Sequence, residues 1–201
     1  MSELDRWEAR FSPPGYLFGT EPNAFLKAQA PRLSPGQTAL SVADGEGRNG
    51  VWLAMQGLDV LAIDFSATAL AKAAALARER GVRLSTEVAD LTKWRWPPAA
   101  FDVVTAIFIQ VVFPPDRPAL FANLKRTLKP GGLLLMQGYR TEQLAYRTGG
   151  PPEFERLYTR AILEQGFADM AELEIREHDS AISEGTAHVG MSALIDLVAR
   201  K

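Results

Sequence analysis

Short apolar runs alternate with helical patterns along most of this chain. Runs that suit strands occupy residues 38–43, 58–63, 82–89, 101–112 and 133–138. Between them apolar residues recur at helical spacing, most clearly in the alanine-rich stretch from Ser66 to Arg80. Strands that alternate with helices predict a parallel sheet, because a parallel pair needs a long crossover connection.

The end of the chain departs from this alternation. Residues 170–182 and 188–200 both have the pattern of strands, and the five residues from Ser183 to Ala187 are too few for a helical crossover. They predict an antiparallel hairpin. The expected fold class is therefore α/β, with five βα units and a terminal β-hairpin in a seven-stranded, mostly parallel sheet that has helices on both faces.

The loop after the first strand has the sequence Asp-Gly-Glu-Gly-Arg-Asn-Gly, from Asp44 to Gly50. Gly45 and Gly47 permit a tight strand-to-helix turn with close backbone approach. The first amides of the following helix lack intrahelical partners, so they can bind a polar or negatively charged group. The match to G-x-G-x-x-G is weak by itself, but its position predicts a cofactor loop.

Two acidic residues at strand ends strengthen this interpretation. Asp64 follows Gly45 by 19 residues, where a carboxylate can accept hydrogen bonds from both hydroxyls of a ribose. The alternative role for Asp64 is a helix N-cap, for which Ser66 is better placed. Asp90 ends the third strand and could hold an adenine amine, with Leu91 against the ring. A turn or capping role for Asp90 is about as common.

Composition narrows the possible partners. The formal net charge of −2 gives no reason to expect nucleic acid or an anionic membrane as a partner. The chain has no cysteine and only two histidines, His178 and His188, so we expect no disulfide and no metal site. No apolar run approaches the ~20 residues that span a bilayer, and the start lacks a signal-peptide pattern. We expect a cytoplasmic protein.

The segment from Phe11 to Asn23 is rich in proline and glycine, yet it carries three aromatic residues. It is either an arm packed on the body or a lid over the cofactor, and both interpretations stay open. Helices are expected at residues 3–10 and 24–28. We expect one domain of 201 residues. Its parts are an N-terminal helical arm or lid (1–35), a cofactor-binding core (36–138), and a substrate-side loop, helix and hairpin (139–201).

Several short motifs follow one another in a defined order along this core. They are Gly-x-Gly-Arg-Asn at 45–49, Asp64-Phe65-Ser66, Ala89-Asp90-Leu91, Phe101-Asp102 and Leu128-Lys-Pro-Gly-Gly132. This order resembles the class I S-adenosylmethionine-dependent methyltransferases, which have a Rossmann-like fold. The segment 16–23 is similar to the tellurite-resistance methyltransferase branch. The resemblance implies S-adenosylmethionine as cofactor and in-line methyl transfer to a small-molecule acceptor, and the oligomeric state stays open.

The resemblance also assigns cofactor contacts. Gly45, Gly47 and Asn49 are expected around the methionine part of the cofactor, Asp64 at the ribose, and Asp90 with Leu91 at the adenine. The cofactor-binding set further includes Ala43, Asp44, Phe65 and Ile107. No catalytic residue is assigned, because a soft or already anionic acceptor needs no general base. Acceptor-binding candidates are Tyr16, Asn23, Gln110, Arg140 and His188, with Tyr139, Tyr146 and Arg147 as further possibilities.

Departures from the family pattern leave alternatives open. The family usually has an acid and a glycine where this chain has Ser41 and Ala43, and Asp44 is placed to compensate. Gln110 stands where relatives often have histidine. A nicotinamide-dependent oxidoreductase would share the glycines and Asp64, but no tyrosine here is followed by lysine four positions later. A non-catalytic S-adenosylmethionine-binding module is the other alternative.

Gly47 carries a specific expectation. A side chain at this position would meet the cofactor or the crowded turn. We therefore expect Gly47→Val to abolish cofactor binding while the fold largely survives.

Overall fold

A computed structural model describes residues 2–201 of the chain. Its strands are β1 Thr38–Val42, β2 Asp59–Asp64, β3 Ser85–Val88, β4 Phe101–Ile107, β5 Leu128–Tyr139, β6 Glu172–Glu184 and β7 His188–Arg200. Its α-helices are α1 Glu3–Phe11, α2 Ala24–Ala28, α3 Arg48–Met55, α4 Ala67–Glu79, α5 Arg117–Thr127, α6 Gln143–Tyr146 and α7 Arg160–Phe167. Short 3-10 turns lie at Ala30–Arg32 and Phe154–Arg156. No helix among residues 2–201 is both long and apolar enough to cross a membrane.

The strands form one seven-stranded sheet in the order β3-β2-β1-β4-β5-β7-β6. β1 pairs with β2, β2 with β3 and β4 with β5 in parallel, whereas β5 pairs with β7 antiparallel. The predicted mostly parallel sheet with an antiparallel C-terminal hairpin is therefore confirmed. Two compact units divide the chain, and the single-domain expectation stays a prediction.

The first unit comprises the chain up to Trp94 together with Glu184–Ala187. Its centre is β1, which is buried from Ala39 to Val42, pairs with β2 and packs against α3. α4 packs against α3, β2 and β3. The Ser66 hydroxyl accepts a hydrogen bond from Ala69 N at 3.0 Å, so the predicted N-cap of α4 is confirmed.

The second unit comprises Arg95–Ser183 and His188–Lys201. β4, β5 and β7 form its centre, and Val103, Val104 and Leu134 are completely buried there. α7 begins after Thr159, whose hydroxyl accepts from Ile162 N at 3.2 Å. Phe167 of α7 packs against Phe121 of α5 with ring centroids 4.8 Å apart.

Two strand boundaries differ from the prediction. β4 ends at Ile107 rather than at Val112, because Phe108 has φ +55° and so leaves the extended conformation. β5 begins at Leu128, before the expected turn at residues 129–132. The pairing of β5 with β4 shifts register there, since Phe101 lies beside Leu128 but Val103 lies beside Leu133. Residues 129–132 are therefore an irregularity within β5 rather than a turn before it.

The third predicted βα unit is also wrong. β3 spans only Ser85–Val88, and its residues are exposed, as suits a short edge strand. No helix lies between β3 and β4 within the described part of the chain, because residues 89–100 form turns and loop. Four helices, α3, α4, α5 and α7, each follow a strand and are long enough to form a crossover connection.

Candidate functional site

The loop between β1 and α3 is organised by the carboxylate of Asp44. Its Oδ1 accepts hydrogen bonds from Ser41 Oγ at 2.6 Å and from Gly50 N in the first turn of α3 at 2.9 Å. Asp44 therefore links the end of β1 to the first turn of α3 and orders the loop between them. Burial raises the pKa of the Asp44 carboxyl. Asp44 Oδ2 is buried and has no hydrogen-bond partner among residues 2–201.

Asp64 joins the end of β2 to the same loop. Its Oδ2 accepts from Gly45 N at 2.9 Å, and its Oδ1 accepts from Ser66 N at 2.9 Å. Burial is the main reason why the pKa of this carboxyl rises to about 6. Each carboxylate oxygen keeps a further lone pair, so Asp64 can still accept from two ligand hydroxyls.

The backbone of the loop includes three residues with positive φ. Gly45 has φ +61°, Gly47 has φ +93°, and Ala43 has φ +49°. A Cβ at Gly47 would lie 2.6 Å from the Ala73 Cβ and 2.7 Å from its Cα. The expectation that the fold survives Gly47→Val is therefore wrong, because Gly47 is needed where α3 approaches α4.

The remaining cofactor candidates have different surroundings. Asp90 is exposed, and its Oδ1 accepts from Thr92 N at 3.0 Å and from Thr92 Oγ1 at 2.7 Å. These bonds and the Lys93 ammonium, 2.9 Å from Oδ2, lower the pKa of the Asp90 carboxyl. Asp90 thus has the turn role that the sequence left open as an alternative. A contact of Asp90 with adenine stays a prediction. Phe65 follows the end of β2 and is partly buried, and Ile107 ends β4 and is buried. Leu91 is partly buried in the turn after β3.

The N-terminal arm is packed on the first unit. Phe11 is buried, stacks on Trp7 at 5.4 Å, and would lie 3.7 Å from a Cβ at Gly45. Tyr16 packs on the apolar cluster formed by α3 and α4. The packing does not test whether this arm opens as a lid, so the lid stays a prediction.

A buried acid inside the glycine loop holds this arm. Glu46 Oε2 accepts from Leu17 N at 2.6 Å, and its Oε1 pairs with Lys72 Nζ at 2.8 Å. The same ammonium donates to the carbonyls of Pro13 and Gly15, each at 2.8 Å. The glycine loop and the arm therefore share one charged anchor.

Asn23 and Asn49, two predicted site residues, contact each other. Asn23 N donates to Asn49 Oδ1 at 3.0 Å, and Asn23 Oδ1 caps α2 by accepting from Leu26 N at 3.0 Å. Asn23 Nδ2 donates to Glu184 Oε1 at 2.9 Å. These bonds join the arm to the start of α3 and to the hairpin.

An aromatic cluster marks the second unit. Phe108, at the end of β4, stacks on Tyr139 at the end of β5 with centroids 4.6 Å apart. His188 meets both rings edge-on, at 4.9 Å from Phe108 and 5.7 Å from Tyr139. The positive φ of Phe108 is unusual for an aromatic residue, and such strain concentrates at functional sites.

Two other acceptor candidates are already engaged. Both amide hydrogens of Gln110 are used, by Tyr139 O at 2.9 Å and Arg156 O at 3.1 Å, and its Oε1 accepts from Tyr139 N at 2.6 Å. Arg140 forms an ion pair with Asp179, which also accepts from Tyr146 OH at 2.9 Å. Their roles toward an acceptor stay predictions.

Sequence reasoning missed the residues that tie the site together: Glu46, Arg48, Lys72 and Glu184. Charged residues inside a buried glycine loop were the available signal for Glu46 and Arg48. Their partners lie 26 and 136 positions away in the sequence, so local spacing gives no indication of them.

Comparisons with known proteins agree with this geometry. Residues 39–132 match the family model described as a methyltransferase domain. The chain is 38% identical over 114 residues to phosphoethanolamine N-methyltransferase 3 of Arabidopsis thaliana. The matched region covers 53% of this chain and 22% of that relative. The chain thus spans about a fifth of the length of this plant relative.

Solved structures agree on the fold. Phosphoethanolamine N-methyltransferase 2 of Haemonchus contortus, in complex with S-adenosyl-L-methionine, has a TM-score of 0.69 at 20% identity over 92% of this chain and 55% of its own. TehB from Haemophilus influenzae has a TM-score of 0.69 at 16% identity over 98% of this chain and 66% of its own. At these identities the likeness shows the fold alone.

Proposed function

We propose that this chain transfers a methyl group from S-adenosylmethionine to a small-molecule acceptor, since residues 39–132 match the family model described as a methyltransferase domain. The observation that carries the proposal is the bond between the buried Asp64 carboxylate and Gly45 N. It brings an acid at the end of β2 to the glycine loop after β1, which is the arrangement that binds a ribose in such folds.

The residues that we assign to this cofactor lie in the first unit, with the exception of Ile107. Asp64 has lone pairs left for two ribose hydroxyls. Asp44 Oδ2, an acceptor, and Arg48 Nη1, a donor, are buried polar atoms that have no hydrogen-bond partner within the described chain from residue 2 onward. An amino acid group carries an ammonium and a carboxylate, which would satisfy such a pair. We assign the methionine part to Ala43, Asp44, Gly45, Gly47 and Asn49, the ribose to Asp64, and the adenine to Phe65, Asp90, Leu91 and Ile107.

The cofactor supplies an activated methyl group on a sulfonium, so the chain's own residues need only bind, orient and exclude water. We assign acceptor binding to the aromatic cluster of Phe108, Tyr139 and His188, which lies at the carboxyl ends of β4 and β5. Tyr16, Asn23, Gln110 and Arg140 remain proposed acceptor contacts. The net charge of −2 supports a small molecule rather than nucleic acid or a membrane as partner, and we place the chain in the cytoplasm.

Calorimetric titration with S-adenosylmethionine, S-adenosylhomocysteine and NAD tests the cofactor. We expect the first two to bind and NAD not to bind, and the reverse would favour an oxidoreductase. Incubation with methyl-labelled cofactor and separate amine, thiol, carboxylate and phosphoethanolamine acceptors then tests the reaction. Labelled product from one acceptor class supports transfer, whereas cofactor binding without any turnover would favour the binding module.

A further inference from the structure

A buried network joins three segments of the first unit that lie far apart in the sequence. Glu184, at the end of β6, accepts from Arg48 Nη2 at 2.8 Å on Oε2 and from Asn23 Nδ2 at 2.9 Å on Oε1. Asn49, beside Arg48, accepts from Asn23 N at 3.0 Å. The network therefore links the start of α3, the N-terminal arm and the tip of the β6–β7 hairpin.

The ion pair in this network is withdrawn from water. The side chains of Arg48 and Glu184 are only 8% and 10% exposed. Separating such a pair would leave each charge buried without compensation, so the two segments that carry them are held together. Glu177, which is also on β6, pairs with Arg160 of α7. The side chains of Arg160 and Glu177 are 43% and 35% exposed, so water can replace either partner.

The hairpin tip fits closely against the arm. Thr186 N donates to Leu17 O at 2.9 Å. A Cβ at Gly185 would lie 2.2 Å from the same carbonyl oxygen, so only glycine fits there. His188, four residues after Glu184, begins β7 and contacts the aromatic cluster of the second unit.

We propose that Glu184 is a positioning residue that transmits occupancy of the glycine loop to the hairpin tip and to the arm. This inference rests on the proposed function, because it takes the cofactor to bind at the start of α3. Arg48 and Asn49 are the first residues of α3 after Gly47, so a ligand that orders this turn also orders the groups that hold Glu184 and Asn23. Arg48 Nη1 is buried and bonds to no atom of the described residues, which leaves one donor for such a ligand.

Hydrogen exchange with and without saturating S-adenosylhomocysteine tests the proposal. In the parent protein we expect the ligand to slow exchange in peptides that cover residues 17–23 and 185–192. Glu184→Gln should still bind S-adenosylhomocysteine, with a Kd within about threefold of the parent, but should lose ligand-dependent protection of 185–192. The matched control Glu177→Gln, on the same strand, should behave as the parent.

A second variant guards against a simple loss of folding. Glu184→Gln leaves the Arg48 charge buried and unpaired, whereas Arg48→Met with Glu184→Gln removes both charges and keeps an acceptor for Asn23. Because Arg48→Met also removes the Nη1 donor that we assign to the ligand, the double variant should fold and bind S-adenosylhomocysteine more weakly than the parent. At ligand concentrations that saturate it, the double variant should still lack protection of 185–192. Parent-like protection in either variant would overturn the proposal, as would a parent that binds the ligand without any change at the hairpin. A parent that does not bind S-adenosylhomocysteine would instead overturn the proposed function.

Discussion

Asp44 and Asp64 are two buried carboxyl groups near each other at the glycine loop. Burial raises the pKa of both carboxyl groups, and the charge of Asp44 adds to the effect on Asp64. Hydrogen bonds from Ser41, Gly45, Gly50 and Ser66 only partly offset this cost of ionisation. A ligand that brings hydroxyl or ammonium donors would therefore stabilise the ionised forms.

Cofactor affinity should depend on pH through Asp64, whose pKa is about 6. Ribose hydroxyls donate to the ionised carboxylate, so affinity should rise with pH through 6 and be about tenfold weaker at pH 5 than at its plateau. Calorimetry at pH 5, 6 and 7 measures this, with Asp64→Asn to separate the contribution of Asp44. An affinity equal at pH 5 and 7 would contradict the assignment.

The contribution of Asp64 to the stability of the fold changes with pH in the direction opposite to cofactor affinity. Because the folded-state pKa of Asp64 lies above its ordinary value of 3.8, the folded protein binds this proton more tightly than the unfolded chain. The contribution of Asp64 to the free energy of unfolding therefore falls as pH rises from about 4 to 6. It is constant above that window.

Ala43, in the glycine loop, has a backbone conformation that favours glycine. An alanine at φ +49° is strained by about 1 kcal/mol, so Ala43→Gly should leave the melting temperature unchanged or raise it. Ala99 has the same φ and is exposed in a loop, so Ala99→Gly is the matched control. Both changes should affect melting alike, but only Ala43→Gly should lower the Kd for S-adenosylmethionine. A clear drop in melting temperature for Ala43→Gly alone would show that the alanine methyl contributes packing.

At the scale of elements, the approach of α3 to α4 determines the shape of the loop. Gly47 lies directly against Ala73, so it serves the packing of two helices as well as the turn. Asp44 and Glu46 then fix the loop from either side of Gly45, one through α3 and one through the arm.

Gly47→Ala and Gly81→Ala separate these two demands. Both glycines have positive φ, +93° and +69°, so alanine costs ~1–2 kcal/mol of backbone strain at each position. Only a Cβ at Gly47 would also collide with a neighbouring helix, which adds ~1–3 kcal/mol, because the space around Gly81 is open. Urea unfolding should show the larger loss for Gly47→Ala. Equal losses would mean that α4 moves aside without cost.

Strand and helix order followed from the sequence because periodicity and capping residues act locally, as Ser66 and Thr159 show. Two strand boundaries, the end of β4 and the start of β5, did not follow from the sequence. The β-branched run beyond Ile107 favours extended backbone, yet Phe108 turns away to stack on Tyr139, a contact between separate elements.

The candidate site divides in the same way. Gly45 and Asp64 were predictable because the turn and the strand end have fixed spacing, and the bond between them is in the structure. The anchoring roles of Glu46 and Glu184 depend on partners from distant segments, which no pattern of spacing reveals. The bonds of Gln110 to backbone groups of Tyr139 and Arg156 were equally beyond reach of the sequence, and its contact with an acceptor stays a prediction.

At the scale of the whole molecule, each of the two units carries part of the proposed chemistry. The first has the glycine loop, its buried acids and the arm, and it carries most of the residues that we assign to the cofactor. The second has the aromatic cluster of Phe108, Tyr139 and His188, which we assign to the acceptor. The cofactor assignment comes first, since methyl transfer depends on it.

Calorimetric titration of S-adenosylmethionine into the parent, Asp64→Ala and Asp59→Ala tests that assignment most directly. Asp59 begins the same strand, is exposed, and serves as the matched control. Loss of a charged hydrogen-bond acceptor costs ~1.5–3 kcal/mol, so Asp64→Ala should bind at least about tenfold more weakly, while Asp59→Ala binds as the parent does. An Asp64→Ala protein that is folded by circular dichroism and binds the cofactor with parental affinity would contradict the account.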